Sequence, residues 1–209
     1  MTHWIDLGRA ALRYQHSGEG PTTLVLVHEM GGTLESWDGV LPRLEATRQV
    51  LRYDTRGAGQ SEKIGGPISF DDMADDLAAL LVALGITGRV ALAGTAVGAG
   101  IALHFAARHP GRAGCVIATS PATGLPPERR EAGRTRADET ERHGMRAMVD
   151  ASFAASYPPI TRHDLAVYET FRARWLANVP SSYAAIYRML ANAEIEAGLG
   201  RIACPVLVV

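Results

Sequence analysis

Short apolar segments alternate with helical patterns along the first 120 residues of the chain. Residues 24–27 form the continuous apolar run of a strand whose two faces are both covered, and residues 50–53, 90–93 and 115–119 are also predicted to be strands. Residues 70–84 place apolar side chains three and four positions apart, with Ser69 as an N-cap and Gly85 as a stop. This alternation predicts an α/β fold with a mostly parallel sheet, preceded by a hairpin over residues 4–16.

The pattern changes after residue 120. Residues 121–200 have helical spacing, many aromatic side chains and no strand signal, which predicts a helical cap over the sheet edge where ligands bind in such folds. A strand signal returns at 205–209, so we divide the chain into a core part (1–120), a cap (121–200) and the start of a returning core strand (201–209). No turn or polar residue follows this strand, and we expect a C-terminally truncated core that lacks roughly 60 residues, or two strand-helix units.

Charge and cysteine content exclude several classes of function. The 209 residues carry 21 basic and 22 acidic side chains, and this net charge of −1 argues against a nucleic-acid partner. No apolar run approaches the ~18 residues of a membrane span, and no leader pattern is present, so we predict a cytoplasmic protein that does not bind membranes. The arginine-rich composition is typical of a GC-rich bacterial genome. Cys115 and Cys204 lie in predicted strands as thiols, and the sequence gives no indication of the oligomeric state.

A glycine-rich turn, Gly94-Thr95-Ala96-Val97-Gly98-Ala99-Gly100, joins a predicted strand to a predicted helix. The glycine spacing does not match a dinucleotide-binding fingerprint, and the Gly-Lys-Ser/Thr of a phosphate-binding loop is absent. We therefore predict no cofactor and no metal. The spacing fits the nucleophile elbow G-x-S-x-G, in which small residues permit a strained turn that presents the middle side chain. Gly94 and Gly98 match the elbow, whereas Ala96 stands at the nucleophile position.

Three motifs together resemble those of α/β-hydrolase-fold enzymes. They are Val27-His28-Glu29-Met30-Gly31-Gly32 with Ser36-Trp37, then Asp54-Thr55-Arg56-Gly57-Ala58-Gly59-Gln60-Ser61, then the elbow. Within that superfamily the chain is most similar to the 3-oxoadipate enol-lactonase group, which hydrolyses a lactone without a cofactor. The resemblance implies a scaffold role for Asp54 and Arg56. It places the catalytic acid and the catalytic histidine after residue 209.

The resemblance also implies an oxyanion hole, a pair of backbone N–H groups that stabilise charge on a carbonyl oxygen. Its donors would be Met30 and Val97, and the loop that carries Met30 would include His28, Glu29 and Gly31. His28 is expected to orient this loop. None of the seven histidines is expected to act as the general base.

Two residues depart from the family pattern. Alanine has no nucleophilic atom, so a Ser-His-Asp mechanism cannot run from Ala96. Glu29 stands where related sequences have a small residue, and a carboxylate beside an oxyanion hole would oppose the developing charge. We expect Glu29 to point outward and pair with an arginine. The alternative is that Glu29 is a general acid/base in a reaction that needs no serine.

The predicted ligand is a small carbonyl compound held under the cap. Its pocket is expected to be lined by a few bulky side chains, for which Trp37, Met145, Trp175 and Tyr187 are the candidates. The arginines of residues 129–146 are assigned to a solvated face, although one of them could steer a carboxylate-bearing substrate. Two functions stay open: an ester or lactone hydrolase by descent, inactive in this form, and a naturally serine-less binding protein or non-serine enzyme.

Overall fold

The computed structural model describes residues 1–209, apart from the side chain of residue 161. Its seven strands form one sheet in the order β1-β2-β4-β3-β5-β6-β7. The strands are β1 (His3–Asp6), β2 (Ala11–Ser17), β3 (Thr23–Val27), β4 (Gln49–Tyr53), β5 (Val90–Thr95), β6 (Ala113–Thr119) and β7 (Val206–Val208). The helices are α1 (Leu41–Glu45), α2 (Phe70–Ala83), α3 (Val97–Arg108), α4 (Pro127–Ser156), α5 (Leu165–Leu176) and α6 (Pro180–Asn192), with 3₁₀ turns at Leu34–Trp37, Pro159–Thr161 and Glu196–Arg201.

Strand pairing divides the sheet into an antiparallel edge and a parallel body. The predicted hairpin is β1 and β2, which pair antiparallel, and β2 also pairs antiparallel with β4. The pairs β4–β3, β3–β5, β5–β6 and β6–β7 are all parallel. Every residue of β3 is buried, as expected for a central strand covered on both faces. The predicted mostly parallel α/β sheet is confirmed.

Apolar residues cover both faces of the sheet. On one face α2 and α3 pack through side chains such as Leu77, Leu80 and Phe105 against Val25 and Leu92. Side chains alternate between the two faces along a strand. Leu24 and Leu26 of β3 therefore point to the other face, where a smaller core also contains Leu41 and Val50 and is covered by Trp37.

Helix α2 begins and ends where its sequence predicts. The Ser69 hydroxyl accepts a hydrogen bond from the Asp72 N–H at 3.1 Å, and the Asp72 carboxylate accepts one from the Ser69 N–H at 3.0 Å. This reciprocal pair satisfies two backbone donors that the first turn leaves free. The helix is followed by Gly85, whose φ of +69° is readily adopted by glycine.

Helices α4–α6 lie between β6 and β7 in the chain. Gly144, with φ 76° and ψ 172°, breaks α4 into two arms. The helices share a small core, and its buried side chains are Met145, Met148, Val149, Phe153, Trp175 and Tyr183. Within the described part of the chain, no helix is long and apolar enough to cross a membrane.

Candidate functional site

The turn from β5 to α3 has the backbone geometry of a nucleophile elbow. Ala96 has φ 51° and ψ −118°, and with Ser120 it is one of two non-glycine residues with positive φ among those described. The turn is held by hydrogen bonds from the Ala96 N–H to the Thr119 carbonyl and from the Ala122 N–H to the Ala96 carbonyl, both 3.0 Å. A residue with a Cβ is strained in this region of φ and ψ. The elbow is therefore formed although its central side chain is a methyl group.

Close backbone contacts explain the two elbow glycines. A Cβ on Gly94 would overlap the carbonyl oxygen of Gly98, and a Cβ on Gly98 would overlap the carbonyl oxygens of Val27 and His28. The two glycines therefore let β5, α3 and the loop after β3 approach one another at this point.

His28 connects the loop after β3 to the loop after β4. Its side chain is 2% exposed. Nε2 accepts a hydrogen bond from the Thr55 N–H at 3.0 Å, so the ring proton lies on Nδ1 and is donated to the Glu29 carbonyl at 2.7 Å. Both ring nitrogens are occupied in fixing the backbone. His28 therefore lies where a loop-orienting residue is expected, and its lone pair is not free to act as a base.

Two backbone donors are unpaired beside the elbow. In the described structure no acceptor pairs with the N–H of Met30 or with that of Val97, the first residue of α3. Gly31, which follows Met30, has φ 80°. Its carbonyl accepts a hydrogen bond from the Asn178 side chain at 3.0 Å. The loop is thus anchored to the core by His28 and to the cap by Asn178.

A cavity of about 720 Å³ lies between the elbow and the cap. On the core side it is lined by Glu29, Met30, Gly31, Ala96 and Ser120. The cap contributes Arg136, Ala151, Ser152, Phe153, Ala155, Ser156, Tyr157, Phe171, Trp175, Tyr183 and Tyr187. Its volume suits a small organic molecule. Trp175 and Tyr187 border the cavity as the sequence suggests.

Trp37 and Met145 do not line this cavity, contrary to expectation. Trp37 covers the small core on the other face of the sheet, beside Leu24 and Leu41. Met145 is 4% exposed and is enclosed in the core of the cap, because it begins the second arm of α4 and faces the other helices. Helical spacing identifies a buried face, but it does not tell a helix–helix contact from a cavity wall.

Glu29 faces the cavity, and the expected arginine partner is not found among the described side chains. Its Oε1 accepts a hydrogen bond from the Ser36 hydroxyl at 2.9 Å. Gly32 leaves room for the carboxylate, since a Cβ there would overlap it. The expectation that Glu29 points outward to an arginine is wrong, because the loop turns its side chain toward Gly32, Ser36 and the ligand space.

Two tyrosines of the cavity stay protonated at neutral pH. Burial, together with the negative charge of Glu29, raises the pKa of Tyr157. Burial also raises the pKa of Tyr183 well above its usual range, and the Tyr183 oxygen accepts a hydrogen bond from Trp175 Nε1 at 3.1 Å. These phenols can donate hydrogen bonds to a ligand, but they cannot serve as bases near neutral pH.

The Asp54 loop is a structural element outside the cavity. Asp54 is fully buried and accepts hydrogen bonds from the N–H groups of Leu34 and Gln60, both at 2.8 Å, and from Arg13 at 3.2 Å. Arg56 is ion-paired with Asp76 of α2. Asp54 and Arg56 thus hold the loops after β3 and β4 together and do not border the ligand space.

The cavity lacks a histidine and a metal site. Of the described residues that line it, none is a histidine, and no group of three or more His, Cys, Asp or Glu side chains in the described structure could hold a metal ion. No sequence pattern predicts three further residues that border the cavity, Ser120, Ser152 and Phe171. Arg136 also borders it, although its charged neighbours suggest a solvated face.

Comparison with known proteins identifies the family. A model described as the alpha/beta hydrolase fold matches residues 22–209. A hydrolase from Pseudomonas aeruginosa superposes with a TM-score of 0.90 at 27% identity, covering 99% of this chain and 78% of its own. The enol-lactonase from Burkholderia xenovorans superposes with a TM-score of 0.88 at 26% identity, covering 99% of this chain and 80% of its own.

Relatives known by sequence are longer than this chain. An acetyltransferase component of the acetoin cleaving system of Pseudomonas putida is 37% identical over 112 residues, which is 54% of this chain and 28% of that protein. A relative from Caulobacter segnis is matched over 52% of its length at 30% identity. From the family match and the geometry of the elbow, the chain belongs to the alpha/beta hydrolase fold family.

Proposed function

We propose that this chain binds a small carbonyl compound under the cap, here assigned to residues 121–200, and forms no acyl-enzyme. The carbonyl oxygen accepts hydrogen bonds from the N–H groups of Met30 and Val97, as in the ester and lactone hydrolases that the chain resembles. Two backbone donors are enough to polarise a carbonyl, so no cofactor is required. The chain is then a relative of the enol-lactonase group that keeps the binding site and lacks the nucleophile.

The observation that carries this proposal is the conformation of Ala96. Its φ of 51° is that of an elbow nucleophile, and the neighbouring Met30 and Val97 donors are unpaired, yet the side chain has no atom that can attack a carbonyl. Thr95 has a hydroxyl, but it belongs to β5 and does not line the cavity. The site can therefore hold an acyl compound without becoming acylated.

The test uses protein made from its complete gene, with p-nitrophenyl acetate as substrate. We expect no burst of p-nitrophenolate and no turnover above background. A burst of one equivalent from the unmodified protein would refute the proposal. If a burst appeared, Thr95→Val, which keeps the side-chain shape, would identify whether Thr95 is the source.

The variant Ala96→Ser distinguishes a serine-less binding protein from a hydrolase that lacks only its serine. We expect little gain, because the Glu29 carboxylate opposes negative charge beside the oxyanion donors. A gain of several hundred-fold would instead identify a hydrolase that is arrested only by its missing serine. In that case the chain is an ester or lactone hydrolase by descent, and the proposed binding role is wrong.

The setting proposed for this activity is a bacterial cytoplasm, without a nucleic-acid partner. Cys115 and Cys204 are free thiols, which is typical of a reducing compartment. The net charge of −1 lacks the basic excess that nucleic-acid binding requires.

The position of Glu29 supports a second candidate function. In this case the chain is an enzyme that transfers a proton and needs no serine. The Glu29 carboxylate borders the same cavity as Met30 and Ala96, and its described partner, the Ser36 hydroxyl, leaves the negative charge unneutralised. Glu29 takes a proton from the carbon next to the carbonyl. The C–H electron pair becomes a C=C bond, and the carbonyl π pair moves to the oxygen as an enolate held by the two N–H donors. The protonated Glu29 then returns the proton.

Hydrogen–deuterium exchange tests this candidate without a serine. In D₂O, we expect the protein to exchange the α-hydrogens of 4-oxopentanoate at least ~100-fold faster than buffer, since a positioned base contributes about 10²–10⁴-fold. Glu29→Gln should abolish the acceleration, whereas the exposed Glu19→Gln should retain it. Equal exchange by wild type and Glu29→Gln, followed by proton NMR, would remove Glu29 from the role of base.

A further inference from the structure

We propose that Arg136, with Tyr187 and Ser152, forms an anion site in the cap that takes the carboxylate of the ligand. The inference rests on the proposed function, because the carbonyl group of the same ligand occupies the elbow end of the cavity. It adds the chemical class of the compound: a small carboxylic acid that carries a carbonyl group, rather than a neutral ester.

Arg136 is the cation of this cavity among the described residues that line it. Its Nε donates to the Tyr187 hydroxyl at 3.0 Å, and its Nη2 donates to the Ser152 hydroxyl at 2.7 Å. Both acceptors are neutral, so they orient the guanidinium without cancelling its charge. The guanidinium carbon also lies 5.7 Å from the centroid of the Tyr187 ring.

The acidic residues near Arg136 on α4 do not pair with it. On α4, Asp138 and Glu141 both pair with Arg188 at 2.6 Å, and Glu139 is exposed and forms no ion pair among the described residues. Arg134 pairs with Glu131 at 3.3 Å on the exposed side of the helix. Among the described side chains no carboxylate lies within ion-pairing distance of Arg136. An arginine that borders a cavity and has no protein carboxylate as its ion-pair partner is suited to a ligand anion.

Two donors at this position remain for a ligand. The Nη1 group of Arg136 has no hydrogen-bond acceptor among the described residues. The Tyr187 oxygen accepts from Arg136, which leaves its own proton to donate. The Ser152 proton, in contrast, is donated to the Met148 carbonyl at 2.9 Å, so Ser152 serves to hold the arginine. A carboxylate has two oxygens and matches this pair of donors.

The break in α4 explains how the site is formed. Arg136 lies on the first arm and Ser152 on the second, and Gly144 reverses the chain between them with φ 76°. The two residues are sixteen positions apart and meet side by side. The charged sequence around Arg136 suits the solvated outer face of the first arm, while Arg136 itself points inward.

Ligand titration by calorimetry tests the anion site, with 4-oxopentanoate and its uncharged methyl ester as probes. We expect the wild-type protein to bind the carboxylate at least ~10-fold more tightly than the ester. Arg136→Gln should weaken carboxylate binding by about 10–100-fold, the range for a hydrogen bond to a charged group, and leave the ester unchanged. Arg134→Gln is the matched control, and it should bind both probes like the wild type.

Each outcome bears on one or both proposals. Equal binding of acid and ester by the wild type, or equal losses in Arg136→Gln and Arg134→Gln, would overturn the anion site and leave the carbonyl site standing. Failure of the wild type to bind either probe would overturn both. A loss of ester binding in Arg136→Gln would assign Arg136 to the structure of the cap, which also refutes the proposal.

Discussion

Replacing Ala96 by glycine should stabilise the protein, although a glycine ordinarily destabilises a folded chain. The backbone of Ala96, at φ 51° and ψ −118°, lies outside the regions that a residue with a Cβ favours. Such a conformation costs about 1–3 kcal/mol. Glycine adopts it without steric cost but loses about 0.5–1 kcal/mol more backbone entropy on folding. Because the methyl group borders the cavity, its removal sacrifices little packing.

The expected net gain is therefore roughly 0.5–2 kcal/mol in the free energy of unfolding. For a chain of this size, each kcal/mol moves the melting temperature by about 2–4 °C. The assay is urea unfolding followed by circular dichroism, with Ala79→Gly in the interior of α2 as the control, which should lose about 1 kcal/mol. Equal losses of stability in the two variants would refute the claim that the elbow is strained.

Three further predictions concern packing, pH and the cavity wall. Gly98→Ala should destabilise the fold by about 1–3 kcal/mol or more in urea unfolding, because the new Cβ overlaps carbonyl oxygens at the end of β3. Burial alone would raise the pKa of Glu35, but hydrogen bonds, above all from Arg13, lower it to about 2 from 4.5. Stability should therefore fall as the pH drops from 4.5 towards 2, and Glu35→Gln should show a smaller fall in urea midpoints over that window. Trp37→Phe should leave binding of 4-oxopentanoate unchanged in calorimetry, whereas Trp175→Phe should weaken it, because Trp175 alone of the two borders the cavity.

The sheet and the elbow were predictable because each depends on short, local stretches of sequence. The apolar residues of β3 identify a strand covered on both faces, and the Ser69–Asp72 pair marks the start of α2. The glycines of the elbow are required by contacts within one turn and with the neighbouring strand end. Local patterns of this kind depend little on the packing of distant segments.

The cavity wall was less predictable, because it depends on how the cap helices fold back on the core. Trp37 and Trp175 are both large aromatic residues in apolar surroundings, yet Trp37 covers the small core on one face of the sheet and Trp175 lies in the core of the cap. Arg136 has charged neighbours in sequence, and its inward orientation follows only from the reversal at Gly144. Glu29 has no sequence signal that distinguishes a cavity-facing carboxylate from a solvated one.

Glu29 and Ala96 are best understood as two parts of one change in the chemistry of the site. Acyl transfer places negative charge on an oxygen between the Met30 and Val97 N–H groups, and an unneutralised carboxylate lining the same cavity raises the energy of that state. Restoring a serine at position 96 leaves this repulsion in place.

We therefore expect the double variant Ala96→Ser/Glu29→Gly, in protein made from its complete gene, to hydrolyse p-nitrophenyl acetate at least ~10-fold faster than Ala96→Ser, since about 1.4 kcal/mol of relieved repulsion is tenfold in rate. The control pairs Ala96→Ser with Glu19→Gln, which removes an exposed carboxylate and should add nothing. If the double variant with Glu29→Gly is no faster than Ala96→Ser alone, the carboxylate does not oppose the oxyanion, and the two departures from the family pattern are independent.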